Sequence, residues 1–407
     1  MSETAKPGYK QTEVGMIPED WDIISFAQIF DIKASGDLNK LTFSKEKDGK
    51  YKYPIYANAT SKRGLYGYTS EAKIPSNTLT VTARGDLGHA FYRNEAYDAI
   101  GRLLTLAPIS PIDPRFFVDY INNFINIVSE STGVPQLTAP QFGRYICPLP
   151  PLPEQHAIAS ALADVDALLD SLEDLLTKKR QLKQATMQEL LTGKTRLEGF
   201  EGEWEEKRLG KFGQCIRGVT YQPELDLRDG DTSETKRLLR ANNIQGGLIN
   251  LHNVQYVNYQ RVSDEQLLKA DDILICMANG SRSLVGKAGM FRPSTGYEYT
   301  FGAFMACYRL NGSHNSDSSF IRFIFESKKY RDQIDLALAG STINNLSPKS
   351  IENLKFSFPP LPEQKAIAVV LSEMDAELEA LEERLSKTRD LKQGMMQELL
   401  TGRTRLI

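Results

Sequence analysis

Apolar residues recur every three or four positions in two stretches of this chain, and between them the sequence is dense with charge. In the first stretch they fall at Ile158, Ala161, Val165, Leu169, Leu172, Leu176, Leu182 and Leu190. In the second they fall at Ile367, Val370, Met374, Leu378, Leu381, Leu385, Leu391, Met395 and Leu399. Such a step marks the seam of a coiled-coil helix. Lys179 and Thr388 interrupt the two seams at equivalent places. Pro153 and Pro362 suit a first helical turn, where the missing N–H costs nothing, and Glu154 and Glu363 suit the positive end of the helix dipole. Gly193 and Gly402 supply the stop, because glycine accepts the left-handed conformation that closes a helix. About 38 residues at ~1.5 Å each predict a rod of about 57 Å.

The two stretches are copies. PPLPEQHAIASALADVDALLDSLEDLLTKKRQLKQATMQELLTGKTRL, from Pro150, aligns without a gap to PPLPEQKAIAVVLSEMDAELEALEERLSKTRDLKQGMMQELLTGRTRL, from Pro359. The offset is about 209 residues, with roughly 31 identities in about 48 positions. Upstream, Gln136-Leu137-Thr138 lines up with Asn345-Leu346-Ser347. The copies are expected to pair with each other. About 160 residues lie between them, enough for a domain that folds and returns the chain antiparallel.

The intervening segments differ in kind. Residues 1–149 and 198–358 are rich in Gly, Asn, Tyr and β-branched residues. Each holds a strand pattern, a loop and a second strand: Leu79 to Thr82, Ala83 to Gly88 and His89 to Tyr92 in the first; Ile273 to Met277, Ala278 to Ser283 and Gly286 to Met290 in the second. Each ends in a short helical pattern, Phe116 to Val128 and Phe320 to Ile334. The expected fold class is α+β. Two globular domains, 1–149 and 198–358, are separated by long antiparallel coiled-coil helices, 150–197 and 359–407, in a circular, pseudo-twofold internal repeat.

Composition narrows the function. The 407 residues carry 49 Lys and Arg against 52 Asp and Glu, a net charge of −3. A protein that holds nucleic acid by bulk charge has a basic excess, so any such binding here needs local patches or a partner that shares the phosphates. No apolar run reaches the ~18–20 residues of a membrane span, and MSETAKPGYK has no signal-like apolar stretch, so a cytoplasmic protein is expected. Cys147, Cys215, Cys276 and Cys307 stand far apart in apolar surroundings and read as reduced core residues. The four histidines are scattered, which leaves neither a zinc site nor a catalytic triad. There is no GxxxxGK[ST] loop, no GxGxxG after a strand and no HExxH, so the chain is expected to be non-catalytic, with no metal or cofactor of its own.

Binding chemistry is better represented. Arg and Asn read base edges by paired hydrogen bonds, and glycine lets backbone approach phosphate. The candidates are Lys62 and Arg63 beside Tyr66 and Tyr68; Arg84 and Gly85; Arg240, Asn242 and Asn243; and Asn279, Ser281, Arg282 and Lys287.

Taken together, the doubled PPLPEQxAIA blocks with their MQELLTGKTRL and MQELLTGRTRL endings resemble the specificity subunit of a type I restriction–modification system. The approach segments TGVPQLTAPQFGRYICPLPPLPEQ and GSTINNLSPKSIENLKFSFPPLPEQ, and the opening Gly15-Met16-Ile17-Pro18-Glu19-Asp20-Trp21, carry the same likeness. The resemblance implies that 1–149 and 198–358 are target recognition domains, each reading half of a bipartite site in double-stranded DNA. It implies helices that fix the unread spacer and dock two modification (methyltransferase) subunits, which hold S-adenosylmethionine, with a restriction subunit joining to cleave. Leu168, Leu175, Leu191 and Leu400, as apolar positions on outer helix faces, are the candidates for partner contact. The competing expectation is a coiled-coil scaffold whose domains bind proteins without DNA specificity. Salt-sensitive, sequence-selective DNA binding separates the two.

Overall fold

The computed structural model describes residues 7–127, 135–293, 296–312, 316–339 and 344–406. The last residue of the expected helix Phe116 to Val128 lies outside them. The chain divides into two compact units, Met1–Glu173 with Glu383–Ile407, and Asp174–Glu382. These limits differ from the boundaries expected at 150, 198 and 359. Each unit takes one mixed domain, the opening part of one long helix and the closing part of the other.

The long helices run Leu152–Leu190 and Leu361–Leu399, 39 residues each. Both finish on a glycine with φ +70°, Gly193 and Gly402. At Gly402 a side chain is excluded twice over, since a Cβ would lie 2.5 Å from Pro18 and 3.1 Å from Trp21.

In the first unit an antiparallel sheet has the strand order Phe30–Ala34, Leu104–Pro108, Thr78–Val81, Ala90–Arg93. The strand Thr78–Val81 is buried along its whole length although Thr and apolar residues alternate, because it is central in the sheet and the hydroxyls of Thr78 and Thr80 bond Tyr97 and Arg93. A second sheet joins Asp98–Ala99, Tyr53–Tyr56, Leu65–Thr69 and Phe43–Ser44, with one parallel pair. Helix Pro114–Phe124 starts on Asp113, which caps the Arg115 N–H at 3.0 Å, with proline in the first turn. Phe26, Phe30, Phe116, Phe117 and Phe142 fill the core, and Ile158, Ala159, Leu162 and Leu399 of the long helices belong to it, with Leu400 just beyond.

The second unit repeats the plan with longer pieces. Its larger sheet has six strands, ordered Gly213–Arg217, Met305–Leu310, Ile273–Cys276, Ala288–Met290, Leu248–Ile249, Ile244–Gln245. Its smaller sheet again holds one parallel pair, Thr235–Leu239 with Tyr299–Phe301. Helix Ser318–Glu326 is capped by Asp317, and Lys328–Ala339 follows it. The expected single helix from Phe320 to Ile334 is therefore two helices, parted at Ser327. Met187, Leu190, Leu191, Ile367, Ala368 and Leu371 join this core.

Within each unit the helix segments pair antiparallel through ion pairs, and the pairs match across the repeat. Lys392 meets Asp166 at 2.6 Å in the first unit, and Lys183 meets Asp375 in the second. Arg389–Glu173 (2.5 Å) and Arg180–Glu382 (2.6 Å) are a second matched set. The seam departs from its expected course here. Leu182 and Leu391 are 52% and 57% exposed. Lys179 and Thr388, read as interruptions, lie on the paired side: Lys179 holds Glu377 at 2.6 Å and Thr388 is buried.

Cys147, Cys276 and Cys307 are buried free thiols and Cys215 is half-buried. Among the described residues no helix is long and apolar enough to cross a membrane. No cluster of three or more His, Cys, Asp or Glu among them is placed for a metal.

Candidate nucleic-acid interface

The repeated PPLPEQ motif explains how each mixed domain is fastened. Gln155 Nε2 donates to the Pro150 carbonyl (2.8 Å), and its Oε1 accepts from the N–H of Asp113, the cap of helix Pro114–Phe124 (2.9 Å). Gln364 does the same with Pro359 (2.9 Å) and Asp317 (3.1 Å). Glu154 and Glu363 do more than suit a dipole. Glu154 is buried and takes two hydrogen bonds from Arg405 (2.6 and 2.8 Å) and one from Trp21 Nε1 (2.8 Å). Glu363 takes the Arg196 fork at 2.5 and 2.7 Å. Paired charge-assisted bonds to buried carboxylates are strong and directional, so each domain sits rigidly on the helix segments of its own unit.

The two loops singled out from sequence occupy equivalent places. In the first unit the Ala83 carbonyl accepts from Leu137 N–H (2.9 Å), and Gly85 N–H donates to Pro135 (3.1 Å). In the second the Met277 carbonyl accepts from Leu346 N–H (2.8 Å), and Asn279 N–H donates to Asn344 (3.4 Å). Arg84 bridges Gln136 where Ala278 bridges Asn345. One backbone scaffold thus presents an exposed arginine in one unit and an alanine in the other. Gly85 follows with φ +78°, exposed.

Lys62 and Arg63 both adopt left-handed backbone, φ 49° and 52°, in an exposed turn. Beneath them lies a residue the sequence reading missed. Arg93 is buried, donates to Thr80 Oγ1 and to the Arg63 carbonyl (2.9 Å each), and stacks 3.5 Å from the Tyr56 ring centroid. Burial pulls its guanidinium down to about 10. Its only signal was an arginine in an inward-facing strand. Around this turn Lys40, Lys45, Lys47, Lys50 and Lys52 are exposed, with Lys45 5.2 Å from the Tyr66 ring and Lys50 5.2 Å from Tyr51. Across residues 40–63 only Glu46 and Asp48 oppose them.

In the second unit Arg282, Ser281, Asn242 and Lys287 are at least partly accessible. Arg282 already donates to the Asp335 carbonyl at 2.9 Å, and Ser281 pairs with Ser283. Arg240, Asn242 and Asn279 come together around one cleft of about 530 Å³, which Ser281, Arg282 and Lys287 do not line. Asn243 is corrected. It is buried, accepts from Arg240 N–H (2.9 Å) and donates to the carbonyls of Asn250 (3.0 Å) and His252 (2.9 Å), so it shapes the turn and has no free edge for DNA.

Two partner-contact candidates are also corrected. Leu191 and Leu400 are buried, because each still closes a helical bond to the residue four back, Met187 and Met396, and so continues the core-facing side of its helix. Leu168 and Leu175 remain on the surface, each 39% exposed.

Comparison with known proteins fits this architecture. The family model described as the type I restriction modification DNA specificity domain matches residues 18–184 and 201–388. The EcoKI specificity subunit of Escherichia coli K12 is 34% identical over 190 residues, 46% of this chain and 39% of that protein. This chain thus spans well under half of that relative. The putative MjaX specificity subunit of Methanocaldococcus jannaschii is 25% identical over 438 residues, 98% of this chain and 97% of that protein. A crystal structure of a type I restriction–modification S subunit from M. genitalium shares the fold, with a TM-score of 0.62 and 17% identity over 93% of this chain and 96% of that one. The chain therefore belongs to the type I restriction–modification DNA specificity family and carries its characteristic domain twice.

Proposed function

We propose that this chain is the DNA-reading, non-catalytic subunit of a type I restriction–modification complex. Each unit reads one half of a bipartite site in double-stranded DNA, and the long helices fix the spacer and dock two modification subunits. Those subunits hold S-adenosylmethionine and methylate adenine, and a restriction subunit joins to cleave unmodified DNA. Their work with DNA places the complex in the cytoplasm.

One observation carries this reading: two equivalent loops on equivalent scaffolds present different side chains, Arg84 against Ala278. That is what two readers of different half-sites need. The unpaired lysines of residues 40–63 supply the local patch that a net charge of −3 requires, and aromatic rings beside them suit a nucleic-acid surface. Leu168 and Leu175 give the first long helix an apolar outer surface for a modification subunit.

Selection from a pool of random duplexes, using the chain assembled with its modification subunit, tests the proposal. Two short enriched blocks around an unread gap are expected. Enrichment without sequence, or no retention of DNA by an intact complex, would favour the protein scaffold.

A further inference from the structure

The cleft of the second unit is built unlike the rest of its surface. Arg240, Asn242 and Asn279 contribute polar groups, while Tyr221, Ala303 and Phe304 form apolar walls. The Nε of Arg240 is buried with no hydrogen-bond partner. Other well-covered arginines of this unit are satisfied by carboxylates: Arg237 by Asp231, Arg309 by Asp272 and Arg322 by Asp375. A buried donor without an acceptor is costly and rare in a folded protein, and with no carboxylate holding its guanidinium Arg240 is uncommitted toward the cleft it lines.

The cleft is also held ready. Asn243 locks the turn behind Arg240 through three hydrogen bonds. The Phe304 carbonyl accepts from Met277 N–H (2.8 Å) and Ala278 N–H (3.3 Å), which fixes the backbone under its ring. That ring is 72% exposed, the most exposed large aromatic among the described residues. A rigid backbone that lifts a phenyl ring into solvent beside a guanidinium held by no carboxylate favours a planar ligand with in-plane acceptors.

A phosphate fits less well, because the lining offers a single cation and is otherwise neutral, with apolar walls. A nucleobase fits. Guanine presents N7 and O6 as an acceptor pair matched to arginine's fork, and a thymine methyl in the same groove offers the apolar contact that suits the ring of Phe304. We propose that this cleft meets base edges of the second half-site, with Arg240 reading a guanine edge, Phe304 making apolar contact beside it, and Asn242 and Asn279 bounding the choice. The proposal rests on the DNA-reading function above and adds which side chains of the second unit discriminate. Arg282, already bound to Asp335 and outside the cleft, takes no part in it.

The test is methylation in vitro by the assembled complex, on duplexes carrying each single-base change in both half-sites. The unsubstituted protein is expected to require guanine at one position of one half-site. Arg240→Ala should lower discrimination there roughly tenfold or more, leaving every other position unchanged. Arg240→Lys keeps the charge and stem but loses the fork, so it should show the same loss at the same position. Phe304→Ala should weaken binding roughly tenfold without changing the guanine preference read by Arg240. If Arg240→Lys retains full discrimination at every position, the cleft assignment falls while DNA reading stands. If the unsubstituted complex methylates no bipartite site at all, both fall together.

Discussion

At the helix ends the two units are nearly interchangeable. Glu154 with Arg405 and Glu363 with Arg196 make the same fork, and Gln155 and Gln364 fasten the caps of equivalent helices. Away from the helices they part. The smaller sheet of the first unit is open and basic, its lysines lying over tyrosine rings. In the second unit the corresponding sheet is neutralised, with Lys236 on Glu298, Arg237 on Asp231 and Arg261 on Asp226. The corners differ as well. Asn58 in the first unit bonds Ala83 N–H at 2.7 Å and the Gly101 carbonyl, closing the space between them. In the second unit Met277 N–H bonds the Phe304 carbonyl, and Ala241 lines an open cleft. What repeats is attachment; what varies is the surface offered to a ligand.

The largest expected effect breaks the attachment. Glu363→Ala leaves Arg196 without its buried partner and should cost about 3 kcal/mol, read by thermal unfolding of the complex. Glu154→Ala should cost more, because Trp21 Nε1 also loses its acceptor, whereas Trp204 Nε1 has none to lose. Equal losses would mean the two clamps are closer in energy than their hydrogen bonds. A second prediction concerns salt. Replacing Lys45, Lys47 and Lys50 with Gln should make the slope of log affinity against log salt shallower by about 3, while Lys236→Gln, already paired, should change it by less than about 1. Similar changes in both units would remove the electrostatic contrast.

A smaller effect comes from Asp119 in the first unit. Burial, aided by nearby Asp166 and opposed by Lys392, pushes its carboxyl up to about 6. The folded state therefore holds this proton more tightly than the unfolded one, so its contribution is fully present below about pH 4 and is lost as pH rises through 6. Asp119→Asn should stabilise the protein by about 1–2 kcal/mol at pH 7.5 and by little near pH 4, measured as unfolding midpoints across pH. Smallest of all, Leu182→Gln and Leu391→Gln should shift stability by no more than about 0.5 kcal/mol, since both side chains already face solvent.

The behaviour of Leu182 and Leu391 shows where the sequence stopped being legible. The repeat, the helices and their antiparallel partnership were readable because apolar periodicity and near-identity survive without coordinates. The seam was followed onto leucines and lost at Lys183 and Lys392, whose charges turn toward Asp375 and Asp166. Apolar counting cannot see an ion pair on the inner side of a helix. Leu191 and Leu400 were misplaced because they were grouped with Leu168 and Leu175, although sixteen steps at about 100° each put Leu191 nearly opposite Leu175 and in line with buried Met187. In the two mixed domains residue type picked out loops but could not say which of their side chains stay accessible. Asn243 and Arg240 have similar chemistry in a string of letters, yet three hydrogen bonds commit one to the turn and leave the other facing a cleft. Arg93 and Phe304 went unnoticed because their importance lies in burial and exposure opposite to what their types suggest.

The most direct measurement of the central claim is a genome-wide map of methylated adenines in cells that express this chain with its modification subunit and carry no other adenine methyltransferase. The account predicts a single new motif of two short half-sites around a spacer of fixed length and any sequence. A stable complex that methylates no such motif would contradict it, and would show that the two units serve some purpose other than reading DNA.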